Sequence, residues 1–175
     1  MHAEEVARLV DRFGSEIYRY CHRLTGRTQQ AEDLYQQTFL KCLELSIPLD
    51  EESNPRALLF SLAGGIFKNE QRKAGRRLAI ARPVELDGEN APEPPAPDDP
   101  AQTAQDRARN AALLAAVDRL PPKLRIPVTL AYGFDWGLEE IARMEKAPVG
   151  TIKSRLHKAR QLLKKEMEVQ GYGTF

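Results

Sequence analysis

The sequence predicts an all-α protein of two small helical domains, and three observations lead to this prediction. Apolar residues recur at helical spacing on both sides of residues 83–106. That segment carries seven Asp or Glu residues, six of the twelve prolines and no Lys or Arg, so it cannot pack a core. A chain of 175 residues is long enough for two modest cores. We therefore expect a first domain over 1–82, a flexible acidic Pro-rich linker over 83–106 and a second domain over 107–170.

The charge of the chain is unevenly distributed. The formal net charge is only +1, but setting aside the seven acids of residues 83–106 leaves the remainder at +8. Such a basic remainder suits a polyanionic partner. No apolar run is long enough to cross a bilayer, and the opening MHAEEVARLVDRF is charged rather than signal-like. These features predict a cytoplasmic protein without membrane insertion.

Two cysteines are too few for a disulfide framework. Cys21 and Cys42 lie among apolar neighbours in predicted helices, so we expect buried, reduced thiols. A zinc site that uses His22 beside Cys21 is the alternative.

The first domain is predicted to contain a helix capped by Thr28, because apolar residues follow at positions i, i+3, i+4 and i+7. The expected buried side consists of Ala31, Leu34, Tyr35, Thr38, Phe39, Cys42 and Leu43. The outward face is then Glu32, Asp33, Gln36, Gln37 and Lys41. Glu32 and Asp33 do not suggest a catalytic pair, because adjacent helical residues point apart and acids are common near a helix start.

A second helix is predicted over RALLFSLAGGIFKNEQRKAGRRLAIAR, residues 56–82. Its expected buried side is Leu59, Leu62, Ala63, Ile66 and Phe67, and its later part is basic, with Lys68, Arg72, Lys73, Arg76 and Arg77. Gly64 and Gly65 in mid-helix cost about 1 kcal/mol each relative to alanine. Either another backbone approaches closely there, or the helix kinks.

The second domain ends in a predicted helix-turn-helix. LEEIARM (138–144) and PVGTIKSRLHKARQLLKK (148–165) are both amphipathic and are joined by the short connection EKAP. Ile152, Leu156, Ala159 and Leu163 form the stripe expected to be buried. In such a motif the second helix enters the DNA major groove, where its first residues reach base edges and its cations contact phosphates. A basic, merely solvated helix at the end of a bundle is the alternative.

Four stretches in this order resemble bacterial RNA polymerase sigma factors of the sigma-70 family, extracytoplasmic-function (ECF) group. They are AEDLYQQTFLKCLE (31–44), NPRALLFSLAGGIFKNEQRK (54–73), LPPKLRIPVTLAYGFDWGLEEIA (120–142) and PVGTIKSRLHKARQLLK (148–164). The last is the most specific, since GT-x-KSR-LH-x-AR follows an EEIA helix. The resemblance covers nearly the whole chain.

The resemblance implies the partners and the site residues. Core polymerase would bind the chain through the clamp of its largest subunit and the flap of its second-largest subunit. An anti-sigma factor is compatible with the resemblance as a further partner. The clamp would contact Asp33, Gln36 and Gln37. The minus-ten promoter element would meet the loop Leu45 to Asn54 and Lys68, Asn69, Arg72, Lys73 and Arg76. Thr151, Lys153, Ser154, Arg155, His157 and Lys158 would read the minus-thirty-five element. No catalytic residue, cofactor or metal is implied.

This chain departs from the family pattern at four positions. Gly65 and Asn69 stand where an Asn and, four residues later, an Asp are usual in the promoter-facing helix. Gln37 replaces a common acid of the docking helix. Lys146 occupies the helix-turn-helix corner that usually has Gly, and a positive φ there would cost on the order of 1 kcal/mol. The corner is therefore expected to be either rearranged or strained.

Two other functional classes explain less of the sequence. A stand-alone helix-turn-helix regulator accounts for residues 120–165 but leaves the docking helix and the basic surface of the first domain unused. An enzyme fares worse, because His2, His22 and His157 have no neighbouring nucleophile or metal-ligand spacing and no glycine-rich phosphate loop is present.

Overall fold

The computed structural model describes residues 3–45, 54–80 and 103–173, and every regular element within these ranges is helical. The chain divides into two compact units, Met1–Ala91 and Pro92–Phe175. Both findings confirm the predicted fold class. Most of the predicted linker lies outside the described residues. Its last residues, from Thr103, already cap and begin a helix.

The first unit is a bundle of three helices: α1 (Ala3–Thr25), α2 (Thr28–Glu44) and α3 (Pro55–Ile80). Its core is largely aromatic and aliphatic. Tyr20 packs on Phe60 with ring centroids 4.6 Å apart, and Ile17, Leu24 and Leu59 are fully buried beside them. At the start of α3, Arg56 forms a two-pronged ion pair with Glu16 of α1, with N to O distances of 2.5 to 3.1 Å. This pair ties α3 to α1.

The predicted buried side of α2 is confirmed at five positions, Ala31, Leu34, Thr38, Phe39 and Cys42. Leu43 was predicted to be buried but is 38% exposed, so that assignment is wrong. Thr28 was predicted to cap the helix. It is instead the first helical residue, and the N-cap is Arg27, whose side chain makes no capping hydrogen bond.

Helix α3 continues through Gly64 and Gly65. Gly64 is buried and Gly65 exposed, and a Cβ added at Gly65 would meet nothing within 4 Å. No close approach therefore explains the second glycine. The predicted buried positions Leu59, Ala63 and Phe67 are confirmed, whereas Leu62 and Ile66 are only half-buried.

Cys21 and Cys42 form no disulfide and are both fully buried, as predicted. Burial raises the pKa of Cys21 to about 12. Within residues 3–45, 54–80 and 103–173, no three His, Cys, Asp or Glu side chains are placed to hold a metal ion together.

The raised Cys21 pKa predicts a loss of stability at alkaline pH. The ordinary pKa of a cysteine thiol is 9.0. Above that pH the Cys21 thiol of the unfolded chain loses its proton, whereas that of the folded chain retains it. The stabilising contribution is thus complete below about pH 9 and lost as the pH rises toward 12. Urea unfolding from pH 8 to 10.5 should show this decline, and Cys21→Ala should make it shallower. An equally steep decline in the variant would contradict the assignment.

The second unit contains α4 (Ala104–Asp118), α5 (Pro122–Val128), a π-helical turn (Thr129–Gly133), α6 (Leu138–Glu145) and α7 (Val149–Val169). Pro127 lies inside α5 and lacks the N–H of a regular helical turn, and the chain widens into the π-turn directly afterwards. Leu124, Ile126, Leu130, Ile141, Ile152 and Met167 are fully or almost fully buried. They form the core against which α6 and α7 are fixed.

A buried arginine joins α4 to α5. Arg125 is 9% exposed, and its guanidinium donates to the carbonyl oxygen of Leu120 at 3.0 and 3.1 Å and to that of Asp118. Burial lowers the pKa of this guanidinium. Arg125 thereby satisfies the carbonyl oxygen of Asp118, the last residue of α4, and that of Leu120 in the connection to α5.

None of the described helices is both long enough and apolar enough to cross a membrane.

Candidate nucleic-acid and polymerase interfaces

The predicted helix-turn-helix is formed by α6 and α7. Helix α6 begins at Leu138 because the Glu140 carboxylate accepts a hydrogen bond from the Gly137 N–H at 2.9 Å. Both Glu139 and Glu140 lie in its first turn, as predicted. Helix α7 follows after three residues and runs to Val169, beyond the predicted end. Helices α6 and α7 pack against each other. Of the residues predicted to be buried, Ile141, Ala142, Ile152, Leu156 and Ala159 are buried and Leu163 is half-buried.

The corner between the two helices is strained rather than rearranged. Lys146 adopts the left-handed conformation, with φ 50° and ψ 46°. This conformation closes the end of α6, since the Ala147 N–H donates to the Ala142 carbonyl at 3.0 Å and the Lys146 N–H to that of Arg143 at 3.3 Å. Lysine has a Cβ, so the corner stores on the order of 1 kcal/mol.

Lys146→Gly is therefore expected to stabilise the second unit by about 1 kcal/mol and to raise its Tm by about 4–8 °C. Trp136 is the single tryptophan and is buried in this unit, so its fluorescence reports this transition. Lys146→Ala is the matched control, because it removes the same charge and keeps the Cβ. If both variants shift the Tm equally, charge rather than backbone strain determines the effect.

One face of α7 carries most of the predicted minus-thirty-five residues. Lys153, Ser154, His157 and Lys158 are exposed, and Thr151 at the start of the helix is half-buried. Gln161, one turn further on, approaches the His157 Nε2 atom at 3.0 Å. Hydroxyl, imidazole and ammonium groups thus stand together on the first half of the helix. They match the donors that contact base edges and phosphates.

Arg155 is placed differently from the other predicted readers. Its guanidinium lies 2.9 Å from a carboxylate oxygen of Glu145, at the end of α6. The Glu145 side chain is only 2% exposed and that of Arg155 is 28% exposed. The ion pair connects the two helices of the motif, so Arg155 fixes their relative position. The sequence did not point to Glu145 as the partner of Arg155. The two residues are ten positions apart and lie on different helices, so helical periodicity does not relate them.

The later part of α3 carries the predicted minus-ten residues. Lys68, Arg72 and Arg76 follow at spacings of four and share one side of the helix. Asn69 and every following residue to Ala79 are exposed, so this part of α3 extends past the core of the unit. Lys73 forms an ion pair with Glu70 at 2.9 Å. Of the loop predicted to capture a base, residues 46–53 lie outside the described part of the chain.

The predicted polymerase-binding residues Asp33, Gln36 and Gln37 are all exposed on α2. Asp33 and Gln37 line a groove between α2 and α3, together with the buried Leu34 and Phe67. Gln36 does not line this groove. The structure therefore brings two of the three residues next to side chains of α3 that the sequence did not connect with them.

Comparison with known proteins identifies both units. The family profile described as Sigma-70 region 2 matches residues 9–77, and that described as Sigma-70, region 4 matches residues 110–163. The ECF RNA polymerase sigma factor SigL of Mycobacterium tuberculosis is 32% identical over 164 residues, which cover 93% of this chain and 89% of SigL. SigE of Mycolicibacterium smegmatis, also an ECF RNA polymerase sigma factor, is 32% identical over 156 residues, covering 89% of this chain and 59% of SigE.

A solved structure shows the same fold. The sigma factor RpoE from Bartonella quintana, in complex with the anti-sigma factor NepR, superposes with a TM-score of 0.72 and 22% sequence identity. The superposition covers 95% of this chain and 99% of RpoE.

Proposed function

This chain belongs to the sigma-70 family, in its ECF group, and from this premise we propose that it binds core RNA polymerase and directs it to promoters. The observation that carries the proposal is the α7 surface. Lys153, Ser154, His157 and Lys158 are exposed together on the second helix of a helix-turn-helix. The polymerase performs the catalysis, and the chain acts with it in the cytoplasm.

The two units divide promoter recognition between them. In the second unit, Thr151, Lys153, Ser154, His157 and Lys158 read the minus-thirty-five element in the major groove. Arg155 supports this surface from beneath through Glu145. The same unit also binds the flap of the second-largest subunit.

The first unit contacts both the minus-ten element and the polymerase clamp. Cations along a helix suit an unstacked single strand, because they neutralise its phosphates while a nearby pocket holds the flipped base. The residues for this role are Lys68, Asn69, Arg72, Lys73 and Arg76. Asp33, Gln36 and Gln37 on the exposed face of α2 dock on the clamp. RpoE is bound to the anti-sigma factor NepR, and we extend the proposal to an anti-sigma partner for this chain.

Lys158→Ala is expected to weaken promoter binding by the polymerase-bound chain about 5- to 30-fold. The salt dependence shows which contact is lost. Loss of a phosphate contact would reduce the slope of log K against log salt by about one in magnitude, whereas loss of a base contact would relax the sequence preference. Lys164→Ala serves as the control, because Lys164 is exposed on α7 about 120° away from Lys158 and pairs with Glu168 at 3.8 Å. An equal loss in both variants would show that only net charge matters.

Titration of the labelled chain with core polymerase, without DNA, tests the docking part. The wild type should bind, and the double variant Asp33→Ala, Gln36→Ala should bind at least tenfold more weakly. Glu44→Ala at the other end of α2 is the control. Absence of wild-type binding would overturn the proposed function, and full affinity in the double variant would exclude this face of α2.

A further inference from the structure

Helices α1 and α3 of the first unit run parallel to each other. Arg56 of α3 pairs with Glu16 of α1, and one turn later Phe60 packs on Tyr20. The residues in each contact are 40 positions apart, so a step along α1 is matched by an equal step along α3 in the same direction. By this offset α1 ends beside Gly65, and the later part of α3 extends past it.

Helix α1 carries a row of arginines on its outer surface. Arg12, Arg19 and Arg23 lie within about 40° of one another on the helical wheel, and the first two are exposed. The one acid between the first and the last of them, Glu16, is already paired with Arg56. This arginine row is therefore cationic along its whole length, which is about 16 Å at about 1.5 Å per residue.

The arginine row lies on the same side of the α1–α3 pair as the cations of α3. Tyr20 points from α1 toward α3, and the row is centred about 80° away from it in one sense. Phe60 points from α3 toward α1, and the α3 cations are centred about 120° away from it in the opposite sense. Opposite rotations in two parallel helices reach the same side of the pair. The α3 cations are Lys68, Arg72 and Arg76.

Helix α2 packs on the other side of the pair and leaves this cationic side open. Ile66 and Glu70 of α3 line the groove next to α2, and they are rotated from Phe60 in the sense opposite to the α3 cations. On the open side, α3 has small residues before its first cation, among them Ser61 and Gly65. A Cβ added at Gly65 would meet nothing within 4 Å. Small residues allow an extended strand to approach the helix closely.

We propose that the arginine row binds the single strand of promoter DNA where it continues beyond the minus-ten element, so that the strand follows α3 and then α1. The α3 cations neutralise phosphates at the element itself, and the row neutralises those of the adjoining nucleotides. Contacts to phosphates strengthen binding without reading sequence. This inference rests on the proposed function, which assigns the α3 cations to the minus-ten element.

Extension of the single strand tests this path. Binding of the polymerase-bound chain is measured with an oligonucleotide that carries only the minus-ten element, and with two that are longer at one end or the other. An extension of about five nucleotides matches the arginine row at about 3.4 Å per phosphate. One of the two extensions should strengthen binding about tenfold, and Arg12→Glu should reduce this gain to less than about twofold. Lys41→Glu is the matched control, because Lys41 is also exposed and the change in charge is the same, and it should keep the gain.

Photocrosslinking gives an independent readout that decides the matter even if Arg12→Glu fails to fold. A photoreactive amino acid at Ser61 should crosslink to the extended strand, whereas the same group at Glu32, exposed on α2, should not. Equal gains in the wild type and Arg12→Glu, no gain from either extension, or no crosslink from Ser61 would overturn the inference and leave the proposed function standing. If the wild-type chain fails to bind the unextended element, both fall together.

Discussion

Replacing Arg155 with alanine is expected to lower the free energy of unfolding of the second unit by about 2–3 kcal/mol. The Glu145 side chain is 2% exposed, and its carboxylate lies 2.9 Å from the guanidinium. Removing the cation leaves a buried negative charge with less compensation, which is far more costly than losing a surface contact. Because Arg155 itself keeps 28% exposure, the expected loss is below that of a fully buried pair.

The measurement for Arg155 is denaturant unfolding followed by Trp136 fluorescence, combined with promoter binding by the polymerase-bound chain. The double variant Glu145→Leu, Arg155→Met should recover most of the lost stability, because both charges are then replaced by apolar side chains. The salt slope of promoter binding should stay unchanged in the double variant. A slope lower by about one, with little change in unfolding, would instead make Arg155 a phosphate contact.

Arg125→Ala is expected to destabilise the second unit by about 3 kcal/mol. The variant leaves the carbonyl oxygens of Asp118 and Leu120 without their guanidinium donor and opens a cavity between α4 and α5. Arg125→Lys should recover only part of the loss, because an ammonium group lacks the planar fork that reaches both carbonyls.

Arg119→Ala is the control for Arg125, and the same fluorescence measurement applies. Arg119 pairs with Glu166 at 2.6 Å, but the two side chains are 57% and 41% exposed. Its removal should cost less than about 1 kcal/mol. Similar losses in the two variants would mean that the buried carbonyl contacts of Arg125 contribute no more than an exposed ion pair.

Periodicity predicted the buried face well for α7, which packs against α4, α5 and α6. Ile152, Leu156 and Ala159 of α7 are buried as expected. Leu43 shows where this reasoning fails, since it has the right spacing on α2 and is still 38% exposed. Spacing identifies the direction in which a side chain points, but how far the neighbouring helices extend is a property of the packed unit.

The exposed polar face of α7 was predictable from the sequence, but the ion pair between Arg155 and Glu145 was not. The helical wheel placed Ser154, His157 and Lys158 on the outer face of α7, and all three are exposed there. It placed Arg155 on the flank, and only the packing of α6 on α7 brings Glu145 within 2.9 Å. Similarly, the resemblance to sigma factors pointed to Asp33 and Gln37, whereas the neighbouring Glu70 becomes visible only once α2 and α3 are packed together.

The conformational strain at the helix-turn-helix corner could be predicted by comparing Lys146 with the residue that the family usually has there. Lysine stands where the family usually has glycine, and Lys146 does adopt the left-handed conformation. Thr28 shows the limit of the same kind of reasoning, since a residue with good capping chemistry begins α2 without capping it. Side-chain chemistry alone does not determine the residue at which a helix starts.

Run-off transcription tests the central claim most directly. Core polymerase is mixed with a pool of genomic promoter fragments, with and without this chain, and the transcripts are sequenced. We expect initiation only with the chain, at a small set of fragments that share two spaced elements. No chain-dependent transcript, together with duplex DNA binding by the chain in the absence of polymerase, would contradict the account and make the protein a stand-alone DNA-binding regulator.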